Sequence, residues 1–133
     1  MERRDHKMAL ILIVDDDKDV RETVAATLQL ENHVTLEAPN GSAALQMIQA
    51  QPVDLVVTDM FMPQLGGGEV IGRIRDEFPH VKIIAISGSS SALRATAASA
   101  GDGLNSLSAD ARLAKPFHRR ELIETVTHVL GAA

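Results

Sequence analysis

The chain has 133 residues, a length that suits one globular domain with an ordinary hydrophobic core. Hydrophobic residues make up 45% of it and charged residues 23%, and the formal net charge is −5. We therefore expect no direct binding of nucleic acid, because phosphate contacts need a basic surface. The chain has no cysteine, which excludes disulfides and thiolate chemistry and fits a cytoplasmic protein. Its longest strictly apolar run, residues 8–14, is far too short to cross a membrane, and we expect no membrane association.

Domain organisation is expected to be simple. The first seven residues, M-E-R-R-D-H-K, include basic residues but are not followed by an apolar stretch long enough for a signal peptide. We expect residues 1–7 to form a short N-terminal leader and residues 8–131 to form one domain. No output domain is expected, since an apolar-periodic segment continues almost to the last residue.

Five segments predict β-strands. Four of them are apolar runs without polar alternation, which is typical of strands buried on both faces of a sheet, and the other contains the β-branched pair Val34 and Thr35. In chain order the predicted strands cover residues 8–14, 33–37, 53–58, 81–86 and 112–114.

Helical patterns lie between these strands. Val20, Val24 and Leu28 recur at a spacing of four residues after Asp17, which is expected to cap this helix. Strand and helix alternate, which predicts an α/β doubly wound domain with right-handed crossovers. The other helical patterns follow Asn40, follow the glycines at 66–68, and occupy residues 122–130.

Residues 88–110 depart from this pattern. Serine, alanine and glycine dominate them, so they offer little apolar surface for burial. Residues 92–100 can form a helix by propensity, and Gly101 and Gly103 should end it. We expect the least ordered part of the domain here.

Polar side chains follow four of the predicted strands. Asp15 and Asp16 follow the first strand, Asp59 the third, Ser87 the fourth and Lys115 the fifth. Because the carboxyl ends of parallel strands share one edge, these groups are expected to converge in a crevice there. Carboxylates are the ligands that Mg²⁺ prefers, and an ammonium suits a phosphate oxygen. The set therefore predicts a site for a divalent cation and a phosphoryl group.

Several polar residues that follow these strands also have a simpler explanation. Asp17 is better explained as a helix cap, Ser87 alone as a turn residue, and Lys115 alone as a solvated lysine before a proline. Asp15 and Asp16 fit a cap less well, because two unit charges about 4 Å apart repel by roughly 4 kcal/mol at an effective dielectric constant of 20. A cation bound between them turns that repulsion into attraction.

Four motifs closely resemble the receiver domain of two-component response regulators. They read I-L-I-V-D-D-D, V-V-T-D-M-F-M-P, I-I-A-I-S-G and L-A-K-P-F, and the resemblance covers residues 10–130. It implies a flavodoxin-like doubly wound (βα)5 fold whose five-stranded parallel sheet has the order 2-1-3-4-5. It also implies a stand-alone phosphoprotein in phosphorelay signal transduction, phosphorylated by a sensor histidine kinase. Such a protein is a signalling domain, not an enzyme, and catalyses only its own phosphorylation and dephosphorylation.

The resemblance assigns a role to each acidic residue. Asp59 would be the phosphoacceptor, which becomes an aspartyl phosphate. Mg²⁺ would be bound directly by Asp16 and Asp59, through water by Asp15, and by the main-chain carbonyl of Phe61. Phosphoryl transfer depends mainly on positioning and charge neutralisation, which this set would supply.

The resemblance also implies a phosphate-binding switch. Ser87 and Lys115 would hold phosphoryl oxygens after transfer, and the bond between Lys115 and Pro116 is expected to be cis. The chain departs from the family at Arg112, since many receivers carry an aromatic residue on the fifth strand. We therefore expect phosphorylation to rearrange residues 88–108 instead. An unknown downstream protein would bind the face formed by the fourth strand, the segment after it, the fifth strand and the last helix.

Two other functions stay open. A phosphorelay intermediate, which passes the phosphoryl group to a histidine phosphotransfer protein, needs the same pocket. A haloacid-dehalogenase-type phosphatase also uses an aspartyl nucleophile after its first strand. That family requires D-x-D-x-T/V, whereas residues 15–19 read D-D-D-K-D and lack the hydroxyl or valine at the fifth position. The phosphatase is therefore the least favoured of the three.

Overall fold

The structure, a computed structural model, describes residues 8–60, 67–87 and 109–131. This part of the chain forms five strands and four helices. Phe61 and the segment 88–108, for which we expected rearrangement on phosphorylation, lie outside the described residues. The elements are β1 (Leu10–Val14), α1 (Lys18–Gln29), β2 (Val34–Ala38), α2 (Gly41–Ala50), β3 (Leu55–Asp59), α3 (Gly67–Glu77), β4 (Lys82–Ser87), β5 (Ala111–Ala114) and α4 (Arg119–Gly131).

The five strands form one parallel sheet in the order β2-β1-β3-β4-β5, which confirms the predicted topology. Each strand lies within two residues of its predicted limits. The first strand begins at Leu10 rather than at residue 8, because Met8 is exposed and Ala9 donates its N–H to the His33 ring. The fifth strand gains Ala111, which pairs with Ile84.

Alternate residues of the inner strands enter two separate cores. On one face, Leu12 and Val14 pack with the apolar sides of α2 and α3. On the other face, Ile11 and Ile13 pack with α1 and α4. Both faces are therefore covered, which explains why apolar and polar residues do not alternate in these strands. The helix residues in the two cores are Ala44, Ile48, Val70, Ile71 and Ile74 on the first face, and Val24, Ala25, Leu28, Leu122, Val126 and Val129 on the second.

Side-chain caps begin three of the helices close to the site edge of the sheet. Asp17 accepts hydrogen bonds from the N–H groups of Asp19 and Val20, which confirms its predicted role as the cap of α1. Asn40 caps α2 in the same way, and at α4 the Glu121 carboxylate accepts the N–H of His118. Within the described ranges, the helices are too short and too polar for any of them to cross a membrane.

Candidate functional site

Three strand ends bring the charged residues of the site together. Asp15 follows β1, Asp59 ends β3 and Lys115 follows β5. The Lys115 Nζ donates to Asp59 Oδ2 at 3.3 Å and to Asp15 Oδ2 at 3.4 Å. Asp15, Asp16 and Asp59 each offer a carboxylate oxygen within 4.8 Å of the other two. Four of the five residues that the sequence placed at this edge thus form one charged cluster.

The carboxylates of this cluster differ in their exposure to solvent. Asp15 is 2% exposed and Asp59 6%, whereas Asp16 is exposed at the rim. The Lys115 side chain retains 28% of its exposure and reaches the two buried carboxylates from one side. The ammonium therefore pairs with the two carboxylates that are withdrawn from water, and the exposed Asp16 offers a carboxylate oxygen within 4.8 Å of both.

This environment shifts the pKa of two groups. Burial raises the pKa of Asp15, and the neighbouring carboxylate of Asp59 adds to the rise, against the opposing effects of the Asp17 N–H and Lys115. Burial by itself would lower the pKa of Lys115, but the carboxylates of Asp59 and Asp15 outweigh it and raise that pKa. Lys115 is therefore a permanent cation at neutral pH, and the acidic cluster still favours additional positive charge.

An arginine that the sequence analysis did not single out holds the turn between β1 and α1. Arg21 Nη1 donates to the main-chain carbonyl of Asp15 at 2.8 Å, and its Nε lies 3.3 Å from Glu37 Oε1. The Asp15 carboxylate also accepts the N–H of Asp17 at 2.8 Å. The only signal in the sequence was an arginine in the first turns of the helix that follows the aspartate triplet, and such arginines are common on solvated helix faces.

The remaining predicted site residues are placed as follows. The Ser87 hydroxyl donates to the carbonyl of Leu113 at 3.5 Å, and the N–H of Lys115 donates to the carbonyl of Ser87 at 2.9 Å. Ser87 is thus tied to β5 next to the charged cluster. The peptide bond between Lys115 and Pro116 is cis. Phe61 lies outside the described residues.

The donor set fits Mg²⁺. This ion takes oxygen ligands in octahedral geometry and keeps several of its waters, so a few carboxylates open to solvent on one side suffice. Asp15, Asp16 and Asp59 offer such oxygens, each within 4.8 Å of the other two. The same carboxylate of Asp59, next to a fixed ammonium, is suited to attack a phosphorus atom.

Comparisons with known proteins agree on one family. The family model for the response regulator receiver domain matches residues 11–127. The response regulator receiver protein CpdR of Brucella abortus is 32% identical over 127 residues, which cover 95% of this chain and 100% of CpdR. The response regulator protein FleR of Pseudomonas aeruginosa is 32% identical over 124 residues, which cover 92% of this chain. The chain spans only 25% of the length of FleR.

A solved structure with a similar fold is that of the response regulator protein TrrA of Thermotoga maritima, crystallised in complex with Mg²⁺-BeF. Its TM-score to this chain is 0.79 and its sequence identity is 35%. The match covers 92% of this chain and 99% of that one.

Proposed function

Because this chain belongs to the response regulator receiver domain family of two-component signalling, we propose that it accepts a phosphoryl group on Asp59. The observation that carries the proposal is the contact of 3.3 Å between Lys115 Nζ and Asp59 Oδ2, inside a cluster that also contains Asp15 and Asp16. This supports the proposal, because a carboxylate that could act as nucleophile, a fixed cation and further carboxylate oxygens lie together.

The donor we propose is the phosphohistidine of a sensor histidine kinase, or a small acyl phosphate in its absence. A carboxylate oxygen of Asp59 attacks the phosphorus in line with the leaving group and forms a new P–O bond. The bond from phosphorus to the imidazole nitrogen breaks, and its electron pair stays on the nitrogen of the kinase histidine. The product is an aspartyl phosphate, and no covalent help from other side chains is required.

Asp15, Asp16 and Asp59 are the residues that would hold Mg²⁺, together with the main-chain carbonyl of Phe61. Bound Mg²⁺ would supply positive charge that neutralises the phosphoryl oxygens. The complex of TrrA with Mg²⁺-BeF supports this choice of metal. The opposite side of the phosphoryl group would face Lys115, whose raised pKa keeps it protonated.

Ser87 would complete the phosphate-binding set. Its hydroxyl has a long hydrogen bond of 3.5 Å to the carbonyl of Leu113, which a phosphoryl oxygen can replace as the stronger acceptor. Phosphorylation adds about two negative charges at Asp59, so it should draw this hydroxyl inward and alter the adjacent face. Among the described residues, that face comprises β4, β5 with its exposed Arg112, and α4. We propose that an unknown partner protein binds there.

Transfer of the phosphoryl group onward to a histidine phosphotransfer protein would use the same pocket. It therefore remains the alternative to switching of a partner. A cytoplasmic location and the absence of direct nucleic-acid binding remain part of the proposal.

The proposal is tested by labelling with acetyl phosphate or phosphoramidate and measuring the intact mass. We expect one added phosphoryl group in the presence of Mg²⁺, and none with a chelator or in Asp59→Asn. Asp76→Asn, which removes an exposed carboxylate on α3, is the matched control and should label like the original protein. Equal labelling of Asp59→Asn would show that Asp59 is not the phosphoacceptor.

A further inference from the structure

We propose that Arg21 is a positioning residue for the metal-binding carboxylates Asp15 and Asp16. The inference rests on the proposed function, because it assigns a role toward the Mg²⁺ that those carboxylates would hold. Arg21 itself does not contact the proposed ligand atoms; it acts on the main chain that carries them.

The contacts of Arg21 join three elements at the edge of the site. It lies in the second turn of α1, where its own N–H donates to the carbonyl of Asp17. Its guanidinium donates from Nη1 to the carbonyl of Asp15 at 2.8 Å and from Nε to Glu37 of β2 at 3.3 Å. The Arg21 side chain is only 13% exposed, so its guanidinium is held inside the structure. Its contact with Glu37 is therefore not a mobile ion pair on the surface.

The bond to the Asp15 carbonyl matters because this oxygen belongs to the peptide group that joins Asp15 to Asp16. Holding the oxygen fixes the plane of that peptide, and the plane sets the position of the Asp16 backbone and the direction in which its carboxylate leaves the chain. The Asp15 carboxylate is held separately, since its Oδ1 accepts the N–H of Asp17 at 2.8 Å. Arg21 and the Asp17 N–H together determine how the two carboxylates are presented.

Positioning and simple charge make opposite predictions for the loss of Arg21. A cation near the site repels Mg²⁺, so its removal should tighten Mg²⁺ binding if charge alone matters. If Arg21 positions the carboxylates, its removal should weaken binding. Residues that orient metal ligands typically change metal affinity by about 10- to 100-fold when they are mutated. The sign of the change therefore separates the two explanations.

The experiment is a calorimetric titration of the full chain with Mg²⁺ alone, without any phosphodonor. For Arg21→Ala we expect the Kd for Mg²⁺ to rise about tenfold or more. Lys18→Ala is the matched control, because it also removes one positive charge from α1. Lys18 is exposed and pairs with Glu22, without a contact to the acidic cluster. This control should bind Mg²⁺ as tightly as the original protein, or slightly more tightly.

A second variant covers the case in which Arg21→Ala does not fold. Arg21→Lys keeps the positive charge but has no planar guanidinium to bind the Asp15 carbonyl and Glu37 at the same time. Its Kd for Mg²⁺ should therefore also rise. Unchanged or tighter binding in both folded variants would overturn the positioning role while leaving the metal site intact. Failure of the original protein to bind Mg²⁺ would instead overturn the proposed site and, with it, the role of Arg21.

Discussion

The Lys115 ammonium lies 3.3 Å from Asp59 Oδ2, although 56 residues separate the two along the chain. Their strands are not neighbours, because β4 lies between β3 and β5 in the sheet. Adjacent strands are about 4.8 Å apart, so the two backbones are separated by roughly 10 Å. The long lysine side chain spans this gap across the end of β4. A shorter side chain at this position would leave the carboxylate without its cation.

Lys115 and Asp16 should have separable roles. Lys115→Ala should still bind Mg²⁺, because the carboxylate ligands are untouched, but should accumulate much less phosphorylated protein with acetyl phosphate. Asp16→Ala should lose most of its Mg²⁺ affinity. Calorimetric titration with Mg²⁺ and intact-mass labelling measure the two properties independently. Equal Mg²⁺ affinity of the two variants would refute this division of roles.

Asp15→Asn should stabilise the metal-free protein. Burial and the carboxylate of Asp59 raise the pKa of Asp15, so the folded state holds the ionised form less favourably than the unfolded chain does. A neutral side chain of the same shape removes that cost. We expect the free energy of unfolding at pH 7 to increase by about 1 kcal/mol, the usual scale for one substitution. The chain has no tryptophan or tyrosine, so urea unfolding is best followed by circular dichroism.

The same pKa shift predicts the pH dependence of the original protein. Without metal, the contribution of Asp15 to stability should fall as the pH rises from the ordinary carboxyl pKa through the raised folded value, because the folded state binds the proton more tightly. Mg²⁺ should stabilise the original protein more than Asp15→Asn, because the variant lacks one of the proposed carboxylates and should bind Mg²⁺ less tightly. A ligand stabilises the folded state more when it binds that state more tightly. A metal-free Asp15→Asn that is less stable than the original would contradict this reasoning.

The ion pair between Arg75 and Asp110 should stabilise the start of β5. Arg75 Nη2 lies 2.7 Å from Asp110 Oδ2, and the same oxygen accepts the N–H of Ile83. Burial would raise the pKa of Asp110, but these hydrogen bonds outweigh it and lower that pKa. Asp110→Asn should therefore reduce the free energy of unfolding at pH 7 by up to about 1 kcal/mol, a modest effect for a partly exposed pair.

This contribution of Asp110 should depend on pH in the direction opposite to that of Asp15. It is fully present above the ordinary carboxyl pKa of about 3.9 and is lost as the pH falls through the lowered folded value. Urea unfolding of the original protein and of Asp110→Asn should therefore converge at low pH. The control Asp76→Asn removes an exposed carboxylate on α3. A stability difference that persists unchanged down to about pH 2 would show that the ionised pair is not its cause.

Phosphorylation should change hydrogen exchange most strongly in residues 88–108. Ser87 immediately precedes this segment, and its hydroxyl is expected to move toward the phosphoryl group. The segment has few apolar side chains by sequence, so its rearrangement should cost little free energy. The measurement compares the protein with Mg²⁺ alone and with Mg²⁺ plus beryllium fluoride, with Asp59→Asn as the control. A change confined to α1 would refute this account of the output face.

The sequence by itself determined the class of fold and the edge of the sheet at which the site lies. Apolar runs such as residues 8–14 indicate strands buried on both sides, and polar residues at their ends must meet because parallel strands share an edge. The order of the strands came from the resemblance of the motifs around Asp59 and Lys115 to a known family. These inferences succeed because the residues of a strand themselves indicate its burial, and the residues directly after it lie at the end of that strand.

Only the tertiary structure decided which groups touch. The contact of Arg21 with the Asp15 carbonyl, its pairing with Glu37, and the link between Arg75 and Asp110 depend on how α1 and α3 dock against the sheet. Hydrophobic periodicity reports which face of a helix is buried, but not the rotamer of a polar side chain at the edge of that face. The pKa shift of Asp15 likewise arises from burial and from Asp59, which is remote in sequence. Such effects exist only once distant strands lie side by side.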